Sequence, residues 1–187
     1  KYFLIGQYMV LYPLLKGQKE IISDWKSRKD KPLLINGESG MGKSSLAKEL
    51  LKEYHIIEIT TEHIKYSGDI IDYIKSSLFK KDILMMCSHN HYTGLLIDDF
   101  HYFIKQDKTN AIKLITFIKT ISINHPVIII CNNITHKLYN QLKDISYNVT
   151  CKLSYRLCKR LFNKTYNKKE NLECENLHDF KTTLNGF

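Results

Sequence analysis

Glycine, lysine and hydroxyl residues recur at one spacing in Gly37-Glu38-Ser39-Gly40-Met41-Gly42-Lys43-Ser44, which matches G-x-x-x-x-G-K-[ST] at every fixed position. That spacing can hold a polyphosphate. The glycines let the backbone turn so that successive N–H groups face inward, where they cradle phosphate oxygens. A helix starting at Lys43 adds the positive end of its dipole, and the N–H of Ser45 in its first turn joins the same cradle. Lys43 is then placed to reach the β- and γ-phosphates of ATP, and the Ser44 hydroxyl to ligate Mg²⁺. A chance glycine-rich turn is the plain alternative.

Phosphate chemistry needs an acidic partner on another strand. Gly94-Leu95-Leu96-Ile97-Asp98-Asp99 offers an apolar run ending in two carboxylates. Asp98 is expected to hold Mg²⁺, and Asp99 to orient and deprotonate an attacking water. Either could instead cap a helix or sit in a solvated turn. Val127-Ile128-Ile129-Ile130-Cys131-Asn132-Asn133 is a second apolar run, ending in amides. Asn132 is the candidate there for positioning the lytic water, although an isolated Asn at a strand end is commonly a turn residue.

The elements that must carry these residues follow from hydrophobic patterning. Short apolar runs alternate with longer amphipathic stretches, as in a parallel sheet with crossover helices. The pattern predicts strands at 33–35, 56–59, 95–97, 127–131 and 149–153, and helices at 43–54, 68–79 and 110–121. A strand before the glycine motif and a helix after it are the context the motif requires. From Ser154 the pattern turns helical. The chain therefore divides into an α/β nucleotide-binding domain over 1–153 and a partial helical lid over 154–187.

Composition bounds the rest. The 187 residues are 43% hydrophobic and 25% charged, enough for a buried core and unlike a disordered tail. No apolar run approaches the roughly 20 residues that span a bilayer, so no membrane role is expected. A formal net charge of +9 favours polyanionic partners, nucleic acid first. Nearly all of the positive charge is lysine; Arg28, Arg156 and Arg160 are the only arginines. Five cysteines, odd in number and without a CxxC pair, suggest reduced thiols. With no signal peptide at its head, the chain is expected to be intracellular, nuclear or cytoplasmic, and not secreted.

In their order along the chain, the glycine motif, Leu-Leu-Ile-Asp-Asp and Ile-Ile-Ile-Cys-Asn resemble the Walker A, Walker B and sensor 1 motifs of AAA+ ATPases. Among these the chain is most similar to the clamp loaders, and in particular to the large subunit of replication factor C. Four further segments carry that likeness. Leu15-Lys16-Gly17-Gln18 resembles the stretch that covers the adenine, which makes Gly17 a nucleotide-binding candidate. The sensor 1 run begins at Pro126 and is followed by His136. Asp179-Phe180-Lys181 resembles sensor 2, with Lys181 facing nucleotide from the lid. Ser146-Tyr147-Asn148 falls where small clamp-loader subunits carry Ser-Arg-Cys.

The resemblance implies a P-loop AAA+ sheet of five parallel strands in order 5-1-4-3-2, followed by the start of a helical lid. It implies ATP hydrolysis coupled to loading a sliding clamp onto primed double-stranded DNA, in a hetero-oligomer with other clamp-loader subunits. Two alternatives stay open. One is a nucleotide-gated subunit with little ATPase activity; the other is a helicase-loader or initiator-type AAA+ protein. Three departures bear on rate: Asp99 stands for the usual Glu, Lys181 for the sensor 2 Arg, and Tyr147 at the arginine-finger position. With the AT-rich flavour of the composition, these departures suggest a divergent homologue, viral origin included.

Other residues have plainer readings. Cys87-Ser88-His89-Asn90-His91 looks metal-like, yet no second cluster completes a tetrahedral zinc site. Tyr2, Phe3, Tyr8 and Tyr12 suit a wall beside the adenine or core packing better than base stacking. Trp25, among Ile21, Ile22 and Leu33, reads as core. Lys152, Lys159, Arg160, Lys164, Lys168 and Lys169 could follow a DNA backbone or form a solvated helix face.

Overall fold

Five parallel strands form one sheet in the order β2-β3-β4-β1-β5, the order the family resemblance implies. They are β1 (Leu33–Gly37), β2 (His55–Ile59), β3 (Thr93–Ile97), β4 (Val127–Cys131) and β5 (Tyr147–Cys151). The computed structural model describes residues 17–60, 62–63, 69–79, 92–132 and 136–152. Helices fill the intervals: α1 (Gln18–Arg28), α2 (Lys43–Leu50), α3 (Ile70–Phe79), α4 (Phe100–Gln106), α5 (Lys108–Ile121) and α6 (Lys137–Asp144).

Strands covered on both faces read as continuous apolar runs, and here every residue of β1, β3 and β4 is buried. Alternation splits their side chains between two cores. Leu34, Leu95, Ile97, Val127 and Ile129 face one, packed with residues of α3 to α6 such as Ile74, Phe100, Leu114 and Leu142. Leu33, Ile35, Leu96, Ile128 and Ile130 face the other, with Ile22 and Trp25 of α1 and Leu46 and Leu50 of α2. Each fully buried Leu or Ile contributes roughly 1.5–3 kcal/mol of burial, so the central strands are the rigid floor on which the site stands.

Several boundaries differ from the sequence expectation. Helix α2 stops at Leu50 rather than running to 54, because a turn closed by Tyr54 N–H donating to the Leu51 carbonyl (2.9 Å) redirects the chain into β2. Helix α5 starts at Lys108, two residues before the expected start, because the Asp107 carboxylate caps it by accepting from Asn110 N–H (3.0 Å). Strand β5 begins at Tyr147 and ends at Cys151, whereas 149–153 was expected: pairing with β1 matches Tyr147 to Leu33 and Cys151 to Gly37. Helices α1, α4 and α6 were not anticipated. Trp25 is core as expected; it is 1% exposed, and its indole N–H donates to the Lys31 carbonyl.

Outside the described residues lie Leu15, Lys16, the N-terminal tyrosines, the Cys87–His91 cluster, Asn133 and the segment carrying Arg156, Lys159, Arg160, Lys164, Lys168, Lys169 and Lys181.

Candidate functional site

The site forms where β1, β3 and β4 end, at the carboxyl edge of the sheet, the usual ligand edge of open α/β folds. After β1 the chain turns through Gly37, Gly40 and Gly42, all with positive φ (151°, 74° and 76°). At Gly37 a side chain would be doubly excluded, since a Cβ there would collide with the Cys151 backbone carbonyl at the end of β5. Gly42 then opens α2 in a left-handed conformation, and no side chain caps that helix. Its intrahelical hydrogen bonds begin with Leu46 N–H, which donates to the Gly42 carbonyl at 2.9 Å. The N–H groups of Lys43, Ser44 and Ser45 precede that bond and have no place in the helical ladder. Such groups at a helix start are suited to an anion. Glu38, Ser39 and Gly40 are exposed around that start, while Met41 is buried beneath.

Lys43 is only 7% exposed. Its ammonium donates to the Gly37 carbonyl (2.9 Å), the Glu38 carbonyl (2.8 Å) and the Asn132 side-chain oxygen (2.9 Å). Three donors meet three acceptors, as a buried charge requires. Burial lowers its pKa, and the nearby acidic groups Cys151, Asp98 and Asp99 oppose that shift. Asn132, just beyond β4, is thereby brought beside the P-loop lysine.

Ser44 and Asp98 also meet, the Ser44 hydroxyl donating to Asp98 Oδ2 at 2.7 Å. The other Asp98 oxygen accepts from Asp99 N–H at 2.7 Å. This hydroxyl–carboxylate pair is an all-oxygen donor set suited to a hard cation such as Mg²⁺. Among the described residues no group of three or more His, Cys, Asp or Glu could hold a metal by itself. Such a pair fits a cation that takes its remaining ligands from phosphate and water. Ser44 and Asp98 would hold such an ion, which would there supply neutralisation of phosphate charge.

Asp99 occupies the N-cap position of α4 with φ 52°, one of two non-glycine residues at positive φ among those described. Its carboxylate makes no capping bond, so the plain reading of this residue as a helix cap does not account for its side chain. About half exposed, it sits 3.8 Å from His101 Nδ1. His101 was not singled out from sequence. It lies in the first turn of α4, 5% exposed, with Nε2 3.3 Å from the Asn132 amide nitrogen.

Gly17 starts α1 with φ 90°. The neighbouring Gln18 side chain accepts from Thr150 N–H (2.7 Å), and Thr150 pairs with Asn36 at the P-loop end of β1. Gly17 thus lies toward the same edge of the sheet. Tyr147 is at the opposite edge, where its phenol donates to Asp30 Oδ1 (3.1 Å). Partial desolvation and Asp30 raise the Tyr147 pKa, and the adjacent Arg28 guanidinium opposes them. Arg28, the last residue of α1, stands beside Tyr147 in space.

A family model for the ATPase family associated with various cellular activities (AAA) matches residues 33–148. The chain belongs to the AAA family. Among curated proteins none matches it in sequence. Solved AAA+ structures share its fold: a DnaA replication initiator bound to AMPPCP and single-stranded DNA (TM-score 0.61, 16% identity), PCH-2 of C. elegans (0.55, 17%) and the Aeropyrum pernix ORC1 protein in complex with DNA (0.53, 10%). These matches cover 98%, 82% and 82% of this chain and 62%, 48% and 50% of theirs. The AAA chain described here therefore spans less than two thirds of the DnaA chain it matches. No helix among the described residues is long and apolar enough to cross a membrane.

Two thiols flank this AAA site from below. Burial pushes Cys131 up to about 12 and Cys151 up to about 11. Both are expected to resist alkylation at pH 8 in the folded protein and to react on unfolding, which mass spectrometry after iodoacetamide treatment checks. The unfolded chain ionises such thiols near 9.0. These two groups therefore make stability fall as pH climbs from about 9 through that window.

Proposed function

We propose that this chain binds ATP–Mg²⁺ at the P-loop and hydrolyses it, as a subunit of a DNA sliding-clamp loader. The observation that carries the nucleotide reading is the convergence of Lys43, Ser44, Asp98 and Asn132 from three different elements onto one carboxyl edge. In this reading the backbone of residues 37–45 holds the phosphates, and Lys43 turns from Gly37 and Glu38 toward the β- and γ-oxygens. Ser44 and Asp98 hold the metal. Asp99 accepts a proton from the attacking water, Asn132 positions that water, and Gly17 borders the base. A nucleotide-binding domain over 1–153 is followed by the start of a lid over 154–187, from which Lys181 reaches the phosphates.

The clamp-loader assignment rests on the sequence likeness to the large subunit of replication factor C, and on a net charge of +9 suited to primed duplex DNA. Its partners are then a sliding clamp and companion subunits, at an intracellular site of replication. An initiator-type reading has its own support: DnaA and ORC1, both solved with DNA, share the fold.

The test has two parts. Lys43→Ala removes the charge facing the phosphates and is expected to weaken ATP–Mg²⁺ binding by well over tenfold, about 1.4 kcal/mol or more. Equal affinities by calorimetry would overturn the nucleotide reading. ATPase stimulation by a sliding clamp together with primed DNA supports the clamp loader; stimulation by DNA alone, indifferent to the clamp, favours the initiator.

A further inference from the structure

The contacts around Asn132 determine more than its own position. Lys43 can only donate, so the Asn132 oxygen at 2.9 Å must be its acceptor and the amide nitrogen must face the other way. That nitrogen is 3.3 Å from His101 Nε2. An amide NH₂ can only donate, so Nε2 must accept. A neutral imidazole that accepts at Nε2 carries its proton on Nδ1. The Nδ1–H of His101 is buried without a hydrogen-bond partner among the described residues. It faces Asp99 Oδ1 across 3.8 Å, roughly 1 Å too far for a hydrogen bond. The ring has little room to move, because His101 is 5% exposed and follows Phe100, which is fully buried.

We propose that His101 is a positioning residue that links Lys43 and Asn132 to the Asp99 carboxylate, so that the P-loop lysine and the proton-accepting carboxylate answer to one another. The proposal rests on the reading of Asp99 as the group that receives the proton of the attacking water. Its physical basis is directional. Lys43 fixes the Asn132 amide, the amide fixes the histidine tautomer, and the tautomer aims a donor at Asp99. Asp99 has a left-handed backbone and a half-exposed side chain with no capping bond, so a donor that closes the 3.8 Å gap to one of its oxygens would set where the carboxylate points. Burial lowers the pKa of His101 and the charges of Lys105 and then Lys43 add to that effect, while Asp99 and Asp98 oppose it. The depressed value favours the neutral ring that the bonding pattern demands.

Two measurements test this on the full chain. Ring ¹⁵N shifts of His101 are expected to show the Nδ1–H tautomer in the nucleotide-free protein, and Asn132→Ala is expected to abolish that preference. The second measurement pairs a single-turnover hydrolysis rate with ATP affinity. His101→Phe keeps the ring volume and removes both nitrogens. It is expected to cut the rate at least tenfold with affinity unchanged within about twofold, and His101→Gln, with an acceptor and a donor, to restore most of the loss. An Nε2–H tautomer, a wild-type rate in His101→Phe, or equal losses of rate and affinity would each overturn the proposal. If His101→Phe does not fold, the tautomer and His101→Gln decide. If the wild type hydrolyses nothing even with its partners, the hydrolysis reading fails, and the tautomer result still judges the link to Asp99.

Discussion

Purified alone, this chain is expected to hydrolyse ATP very slowly, and addition of the companion subunits proposed above is expected to raise the rate by ~10³–10⁵. A dissociative phosphoryl-transfer transition state spreads charge over the γ-oxygens, and an arginine brought to them supplies a gain of that size. Arg28 is the only arginine among the described residues, and it ends α1 beside Tyr147. Tyr147 pairs with Leu33, the first residue of β1, while the P-loop leaves from Gly37, its last. At roughly 3.3 Å per residue that strand separates the two ends by about 13 Å. Arg28 is thus on the wrong edge of the sheet to reach the nucleotide bound by its own chain. Lys43 is already committed to the β- and γ-phosphates in the proposed mechanism, and the expected stimulation requires the further charge to come from a neighbour. The measurement is ATPase activity of the chain alone against a mixture with the proposed companion subunits, over a dilution series. Fast turnover by a monomer that is insensitive to dilution would falsify the requirement for a donor in trans. The same position of Arg28 also bears on what the chain gives to others. By resemblance Tyr147 occupies the finger position. Arg28→Ala separates the roles: the chain's own turnover should be unchanged, while a loss in the neighbouring site would make Arg28 the donated charge.

The sheet was readable in advance because its three central strands are covered on both faces. Such strands must be written as unbroken apolar runs, and Leu33-Leu34-Ile35, Leu95-Leu96-Ile97 and Val127 through Cys131 are so written. The glycine motif was readable for a related reason, since its conformations admit few other residues: a Cβ on Gly37 meets the Cys151 carbonyl. What escaped sequence reading lacked a local signature. Helix α4 is seven residues long and immediately follows the paired carboxylates, so its apolar positions Phe100, Phe103 and Ile104 resemble a continuation of the strand. Helix α1 shows only two buried residues, Ile22 and Trp25, in eleven. Strand β5 starts earlier than its hydrophobicity, because at the sheet's edge Tyr147 and Asn148 are only half-buried and register with Leu33 and Leu34 decides their place. His101 escaped because its partner Asn132 is 31 residues away. The one available signal was a histidine three residues after Asp98 at the start of a helix, which places its side chain near the strand end that carries the carboxylates.

Asp99 gives the second large effect, and its two substitutions should act in opposite directions. Asp99→Asn keeps the size and the tolerance for left-handed backbone that φ 52° requires, since Asn and Asp both visit that region readily. It removes the capacity to accept a proton. Hydrolysis is expected to fall by about 10²–10⁴ with ATP affinity nearly unchanged, leaving the nucleotide trapped intact. Asp99→Glu advances the carboxylate by one C–C bond, roughly 1.5 Å, and misplacements of ~1 Å can cost about 10² in rate. If the short side chain holds its oxygens back from the attacking water, the longer one should raise turnover. Its affinity for nucleotide should stay as it was, because the gain is realised only in the transition state. The backbone opposes this gain: Glu is less at ease than Asp at positive φ, and strain there is of order 1–3 kcal/mol. The prediction is therefore judged on single-turnover rates, with thermal stability measured alongside. A stable Asp99→Glu protein that hydrolyses more slowly would show a pocket shaped around aspartate. An Asp99→Asn protein with wild-type turnover would remove Asp99 from the chemistry and leave its unusual backbone without the role assigned to it.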